Sequence, residues 1–396
     1  MSFRRVAIGA VTAIALLVLL MPATWGTFHG FMLVARAVAP QGVVHALARL
    51  DAGAVDERLL VVPVGGAPMR ARVYVPAAQG RARQTVLLVS GLHPAGIDEP
   101  RLIHLSRTLA ESNVLVVTPD IPELSRFDIT THVTDRIEAA AVWLAVESGF
   151  APDGRIGLMG VSFSGGLAVV AAGRPSLRGR LRYVFSFGGH DDLRRVRNYF
   201  CGGGIVDRSD EAGPPEPASA PGAPHDYGVA IALLTVAEQL VPPEQLTPFK
   251  EAVRRFLRAS YLDRVDRDQA EREFAALRRL ALTLPEPSTT LLAYVNARDV
   301  ARLGARLRPC VGKYAETAGL SPARSPLPDV PVFLLHGRDD TVIPAAESER
   351  LADRLRGHTQ VRLLLTDLIS HADADQAAHA AAVLRLASFW GDLLSR

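Results

Sequence analysis

Lysine is nearly missing from this chain of 396 residues, where it occurs only as Lys250 and Lys313. Mechanisms that need a Schiff-base lysine or the lysine of a phosphate-binding loop therefore have almost no residue to use. Cysteine is equally scarce. Cys201 and Cys310 are too few for a four-thiolate zinc site, and nothing else in the sequence fixes a metal-ligand spacing, so neither a metal nor an organic cofactor is expected. The formal charge is only +3, which gives no support to nucleic-acid binding. A hydrophobic fraction of 48% with 21% charged residues excludes a disordered chain, and 32 Gly and 27 Pro occur without the repeat of a fibrous one. The length suits one large domain with an insertion, or two domains.

Residues 1–25 differ in character from everything after them. Arg4 and Arg5 precede a charge-free run from Val6 to Met21, and Pro22 to Trp25 extend it to about the 20 residues that span a bilayer. This reads as a signal anchor with its positive end in the cytoplasm, or as a cleaved signal peptide with Ala35-Arg36-Ala37 as a late cleavage site. On either reading the rest of the chain lies outside the cytoplasm, membrane-anchored or secreted, and periplasmic if the source is bacterial. In that compartment Cys201 and Cys310 have two open states, one disulfide or two buried thiols.

Residues 26–56 form a linker or helical lead-in. From 57 to 189 the pattern is a hairpin (Leu59 to Val64, Ala71 to Val75) followed by short β-branched runs, namely Thr85 to Val89, Val114 to Thr118, Ile156 to Met159 and Tyr183 to Phe187. Two more, Val330 to Leu335 and Val361 to Leu365, fall in a second stretch, 328–396. Continuous apolar runs of this length belong to parallel strands buried on both faces, and helical patterns separate most of them. The expected fold is α/β, a mostly parallel sheet flanked by helices. Between 190 and 327 no strand is expected. That interval reads as an inserted helical subdomain, with helices over Val229 to Val241, Glu244 to Ala259, Asp263 to Leu282 and Thr289 to Leu307, and a Pro/Ala/Gly-rich loop from Glu211 to Pro224.

The chemistry begins at Gly160-Val161-Ser162-Phe163-Ser164-Gly165-Gly166, between the strand Ile156 to Met159 and an apolar helical pattern. A serine on so tight a turn needs small neighbours two positions away, and Gly160 and Ser164 provide them around Ser162. Ser164 has the same small flanks and is the rival nucleophile, but Ser162 sits at the apex. A serine hydroxyl needs a base and an orienting carboxylate. His336-Gly337-Arg338-Asp339-Asp340-Thr341-Val342-Ile343-Pro344 offers the carboxylate at a strand end, and Ser370-His371-Ala372-Asp373 follows the next strand. Asp191 and Asp192 are alternative acids, and His371 taken alone is an ordinary loop histidine.

The order Ser162, Asp340, His371 resembles the nucleophile, acid, base order of the α/β-hydrolase superfamily, over roughly Leu59 to Arg396 outside the insert. That resemblance implies a Ser162–Asp340–His371 triad, backbone N–H groups of Leu92 and Phe163 as the oxyanion hole, and a helical cap where the insert lies. The family often has His-Gly after the third strand, where this chain has Ser90-Gly91-Leu92-His93. His93 and His190 stand near strand tops as candidate substrate contacts. The expected function is an ester or acyl hydrolase acting on a small-molecule substrate. Two alternatives are kept, a prolyl-oligopeptidase-like peptidase and a non-catalytic hydrolase-fold surface binder. The apolar cap faces carrying Leu233, Leu234 and Phe256 suggest an acyl-chain substrate. Oligomeric state is not legible.

Overall fold

The computed structural model describes residues 24–38, 52–63, 68–77, 82–202, 224–314, 319–368 and 380–396. Two strands open the sheet, β1 (Val55–Val62) and β2 (Met69–Pro76), paired antiparallel with Val62 opposite Met69. Then follow β3 (Gln84–Val89), β4 (Val114–Pro119), β5 (Ile156–Val161), β6 (Leu181–Phe187), β7 (Val332–Gly337) and β8 (Val361–Thr366). Their order in space is β1-β2-β4-β3-β5-β6-β7-β8. β2 meets β4 antiparallel, and every neighbouring pair from β4 onward is parallel. All six expected parallel strands are present. They were legible because a strand covered on both faces is apolar at every position, and β3, β4 and β7 are buried throughout.

Alternation along each strand divides the core into two layers. Leu87, Val89, Leu158 and Val184 face one layer, with α4 (Thr131–Val146), α5 (Phe163–Ala172) and the insert. Val86, Leu88, Met159 and Phe185 face the other, with α1 (Thr24–Val38), α2 (Pro100–Glu111) and α13 (Ala380–Leu394). Between β4 and α4 lies the single turn α3 (Pro122–Ser125).

Within the stretch read as a linker or helical lead-in, α1 is a helix that packs on α13. Gly30 lies so close to α13 that a Cβ there would sit 2.0 Å from the Ala387 carbonyl oxygen, and one on Gly391 would sit 2.4 Å from that of Gly26. Glycine permits this backbone-to-backbone approach. The anchor or signal expected over 1–25 falls almost wholly outside the described residues. Among the described residues no helix is long and apolar enough to cross a membrane.

The described part of the interval 190–327 contains no strand. It holds α6 (Leu193–Phe200), α7 (Asp226–Val236), α8 (Pro243–Val265), α9 (Arg267–Ala281), α10 (Ser288–Asn296) and α11 (Val300–Tyr314). Two expected boundaries move. The α8–α9 break falls at Asp266, whose side chain accepts from Gln269 N at 3.0 Å and caps α9. The single helix expected over Thr289 to Leu307 is two helices, because Arg298 takes a left-handed conformation (φ 53°) and Asp299 accepts from Arg302 N at 2.9 Å. Leu233, Leu234 and Phe256 are all buried in the core shared by insert and body. After the insert come α12 (Ala346–Leu355), β8 and α13. Cys201 and Cys310 are both free thiols; burial pushes the Cys201 thiol up to about 12.

Candidate active site

Ser162 stands between β5 and α5 with φ 56° and ψ −130°, a backbone geometry that L-residues rarely adopt. Its N–H donates to Phe187 O at 2.6 Å and its carbonyl accepts from Gly165 N at 2.8 Å, so strand and helix grip the residue from both sides. The turn leaves no room around it. A Cβ on Gly160 would lie 2.1 Å from Ser164 O, and one on Gly91 would lie 3.3 Å from Ser162 Cβ. Ser162 is half-buried. Ser164 is fully buried and donates to Ser90 O at 2.6 Å, which ties α5 to the segment after β3 and takes this hydroxyl out of the reaction.

Phe163 opens α5, where first-turn N–H groups have no acceptor within the helix and the helix end carries partial positive charge. Leu92 is buried one residue beyond Gly91. The two backbone groups expected to receive an oxyanion thus lie on segments in contact at Ser162.

Of the neighbouring carboxylates after β7, Asp339 is exposed and Asp340 buried. Asp340 Oδ1 accepts from Val342 N at 2.8 Å and from Ile343 N at 3.0 Å, which favours the ionised form, and Oδ2 lies 3.4 Å from His336 Nε2. His336 is itself fixed, with Nε2 2.7 Å from Ile343 O and Nδ1 2.7 Å from Ser348 Oγ. The alternative acids are engaged elsewhere. Asp191 is fully buried and pairs with Arg195 and Arg354; burial raises its carboxyl, but those two guanidiniums outweigh burial and hold it below the usual range. Asp192 caps α6 by accepting from Arg194 N at 2.7 Å. His371 lies within 369–379, outside the described residues.

The two remaining histidines separate. His93 follows Leu92, and its Nδ1 accepts from Ala95 N at 3.2 Å, which leaves the ring proton on Nε2. Nε2 is buried and has no acceptor among the described residues, and the ring stands edge-on to Tyr261 of α8 at 4.4 Å. Burial pushes the imidazole down to about 4, so it is neutral near pH 7. His190, the other candidate contact, lies deeper. It is wholly buried under α5, where a Cβ on Gly166 would meet its ring at 2.6 Å, and its Nε2 pairs with Leu320 O at 2.8 Å. Its place is in the core.

Sequence reasoning missed the cap's grip on both loops of the site. Tyr227 of α7 donates to Leu92 O at 2.9 Å, beside the expected oxyanion group. At the acid loop, Thr341 O accepts from His225 N at 3.2 Å and from Tyr199 Oη at 3.3 Å. Burial and the Asp340 charge push the Tyr199 phenol up to about 12, and burial raises that of Tyr227 further, so both remain donors. No motif marks these contacts, since they join α6 and α7 to loops more than 100 positions away.

No family model and no curated protein matches the chain. Solved structures similar to it include an esterase of Pyrobaculum calidifontis (17% identity, TM-score 0.48, covering 88% of this chain and 89% of that one). An esterase of Pseudomonas putida is 16% identical with a TM-score of 0.46, over 91% of this chain and 86% of that one. An acylaminoacyl peptidase complexed with Z-Gly-Gly-Phe-chloromethyl ketone is 11% identical with a TM-score of 0.49, over 90% of this chain but 44% of that one. The architecture stands on the chain's own strand order, the turn at Ser162 and the acid turn after β7, which together have the form implied by the α/β-hydrolase resemblance.

Proposed function

We propose that the protein is a serine hydrolase that cleaves a carboxylic ester or related acyl bond through an acyl-enzyme. One observation carries the reading: Ser162 is held in a strained conformation at the junction of β5 and α5, with its flanks cleared by Gly91 and Gly160. In the first step Ser162 Oγ bonds to the substrate carbonyl carbon while His371 takes the hydroxyl proton. His371 then gives that proton to the departing alkoxide as the bond to it breaks. Water repeats the sequence on the acyl-enzyme, releasing the acid and restoring the serine. Asp340, ionised and held by two backbone N–H groups, fixes the imidazole tautomer and stabilises its cationic form. Leu92 and Phe163 N–H groups receive the negative oxygen, each contributing about 3 kcal/mol to the transition state. The segment before Trp25 holds this domain at a membrane, on the side away from the cytoplasm, or directs its secretion.

A fluorophosphonate probe tests the chemistry. The folded protein should form one adduct, on Ser162, and Ser162→Ala should abolish both the adduct and p-nitrophenyl acetate turnover. A folded protein that takes no adduct is a non-catalytic binder. Rates on peptide and amide series beside esters separate a peptidase from an esterase.

A further inference from the structure

The insert's apolar faces are spent on packing. Leu233 and Phe256 are fully covered, so the helices that suggest an acyl-chain groove by their composition offer none there. Open space occurs instead at the seam of body and insert. A cleft of about 470 Å³ is lined by Pro94, Ser125, Arg126, Asp128, Glu251, Arg254 and Arg258, a volume in the range of small-ligand sites. Its location ties it to Ser162. Pro94 lies three residues beyond Gly91, which touches Ser162, so their Cα atoms are at most about 11 Å apart along an extended chain. The next residue back from Pro94 is His93, whose buried Nε2–H lacks an acceptor among the described residues.

The charges of the cleft do not cancel. Arg254 Nη2 donates to both carboxylate oxygens of Asp128, at 2.9 and 3.2 Å, and its Nε donates to Arg126 O at 3.0 Å. Arg258 pairs with Glu251. Three guanidiniums therefore face two carboxylates, and Arg126 makes no side-chain ion pair among the described residues. Arg254, half-buried, is held in place by Asp128 and the Arg126 carbonyl, while Arg126, exposed and without an ion pair among the described residues, presents the guanidinium that a planar carboxylate can meet.

We infer that this cleft is the specificity subsite of the hydrolase and that it takes a substrate bearing a carboxylate, or an anion of similar size, a few bonds from the scissile carbonyl. The inference rests on the serine hydrolase reading and names the substrate class of that site.

The test compares p-nitrophenyl hemiglutarate, which places the anion on the acyl side, with its neutral methyl ester. A second pair, acetate esters of 4-hydroxybenzoate and of methyl 4-hydroxybenzoate, places it on the alcohol side. In one of the two pairs the anionic ester should have the higher kcat/KM, and Arg126→Gln should lower the anionic-to-neutral ratio about 10-fold, mainly through KM. Raising the salt from 50 to 500 mM should lower the same ratio. Arg267→Gln, at an exposed position at the start of α9 that does not line the cleft, should leave it unchanged. A ratio indifferent to Arg126 in both pairs, or kcat/KM that climbs steadily with neutral acyl chain length, overturns the subsite. Fluorophosphonate labelling of Ser162 in the same preparations keeps the two readings apart. A labelled enzyme with no anion preference sinks the subsite alone, whereas an unlabelled wild type sinks the hydrolase.

Discussion

His93 shows how one buried side chain sets the pH limits of the fold. Its imidazole lies in contact with Tyr261, with Glu99, Arg101 and Arg264 as the nearest charges. Burial opposes the proton most, Arg101 and Arg264 oppose it further, and Glu99 does not compensate, so the folded chain holds the group near 4 against an ordinary 6.5. Between those values the unfolded chain binds more protons than the folded one, so stability rises with pH across that window and is lost as pH falls through it. His190, also lowered by burial, acts in the same direction. The melting temperature should therefore hold from pH 8 to about 6.5 and drop steeply toward pH 4.5. His93→Gln should flatten that slope when thermal unfolding is followed by circular dichroism. A slope unchanged by the substitution would move the acid sensitivity to other groups. The sequence could mark His93 as a polar residue near a strand top. It could not show its burial, because Tyr261 comes from a helix 168 positions away.

At the scale of elements, the start of α7 and the end of α6 act as a clip. Tyr227 holds the carbonyl of Leu92, while His225 N and Tyr199 Oη hold that of Thr341, next to Asp340. The insert thus fixes the backbone on both sides of the nucleophile, and its docking is coupled to the geometry that the reaction needs. Tyr227→Phe keeps the ring against Phe127 and removes only the donor. Losing that bond costs about 1 kcal/mol of stability, and the loosened Leu92 segment should lower kcat roughly 3- to 10-fold. KM for a small neutral ester should stay near its wild-type value. A rise in KM with kcat unchanged would instead give Tyr227 a role in binding alone. Such clips are invisible in one sequence, whereas the strands they bridge were legible. Hydrophobic period reports which face of an element is covered, not which carbonyl a tyrosine will meet. The same limit explains the two helices read as one over Thr289 to Leu307, since no glycine or proline announces the break at Arg298.

Across the whole molecule, the N-terminal and C-terminal helices close the layer on the sheet face away from the insert. The parallel strands and the turn at Ser162 follow from local sequence, and the α/β-hydrolase resemblance singles out Asp340, the buried member of the Asp339–Asp340 pair. The docking of α1 does not follow in this way, because nothing local to Gly26 and Gly30 marks the helix that they will meet. In the fold they form a crossing. α1 lies against α13 with Gly30 over Ala387 and Gly26 over Gly391, Leu33 and Val34 enter the core layer, and Arg36 donates to Ser112 Oγ at 2.6 Å. Since α13 brings Phe389 and Trp390 into the same layer, a wider crossing must disturb the packing of both helices. Gly30→Leu drives its Cβ against a backbone carbonyl, which no rotamer change relieves. The cost should be ~3 kcal/mol, read as a fall of about 3–4 °C in melting temperature. Gly179→Ala, a position with open space whose left-handed backbone is its main constraint, calibrates that number with a strain penalty of about 1 kcal/mol. Melting of Gly30→Leu at the wild-type temperature would mean that α1 does not hold this crossing.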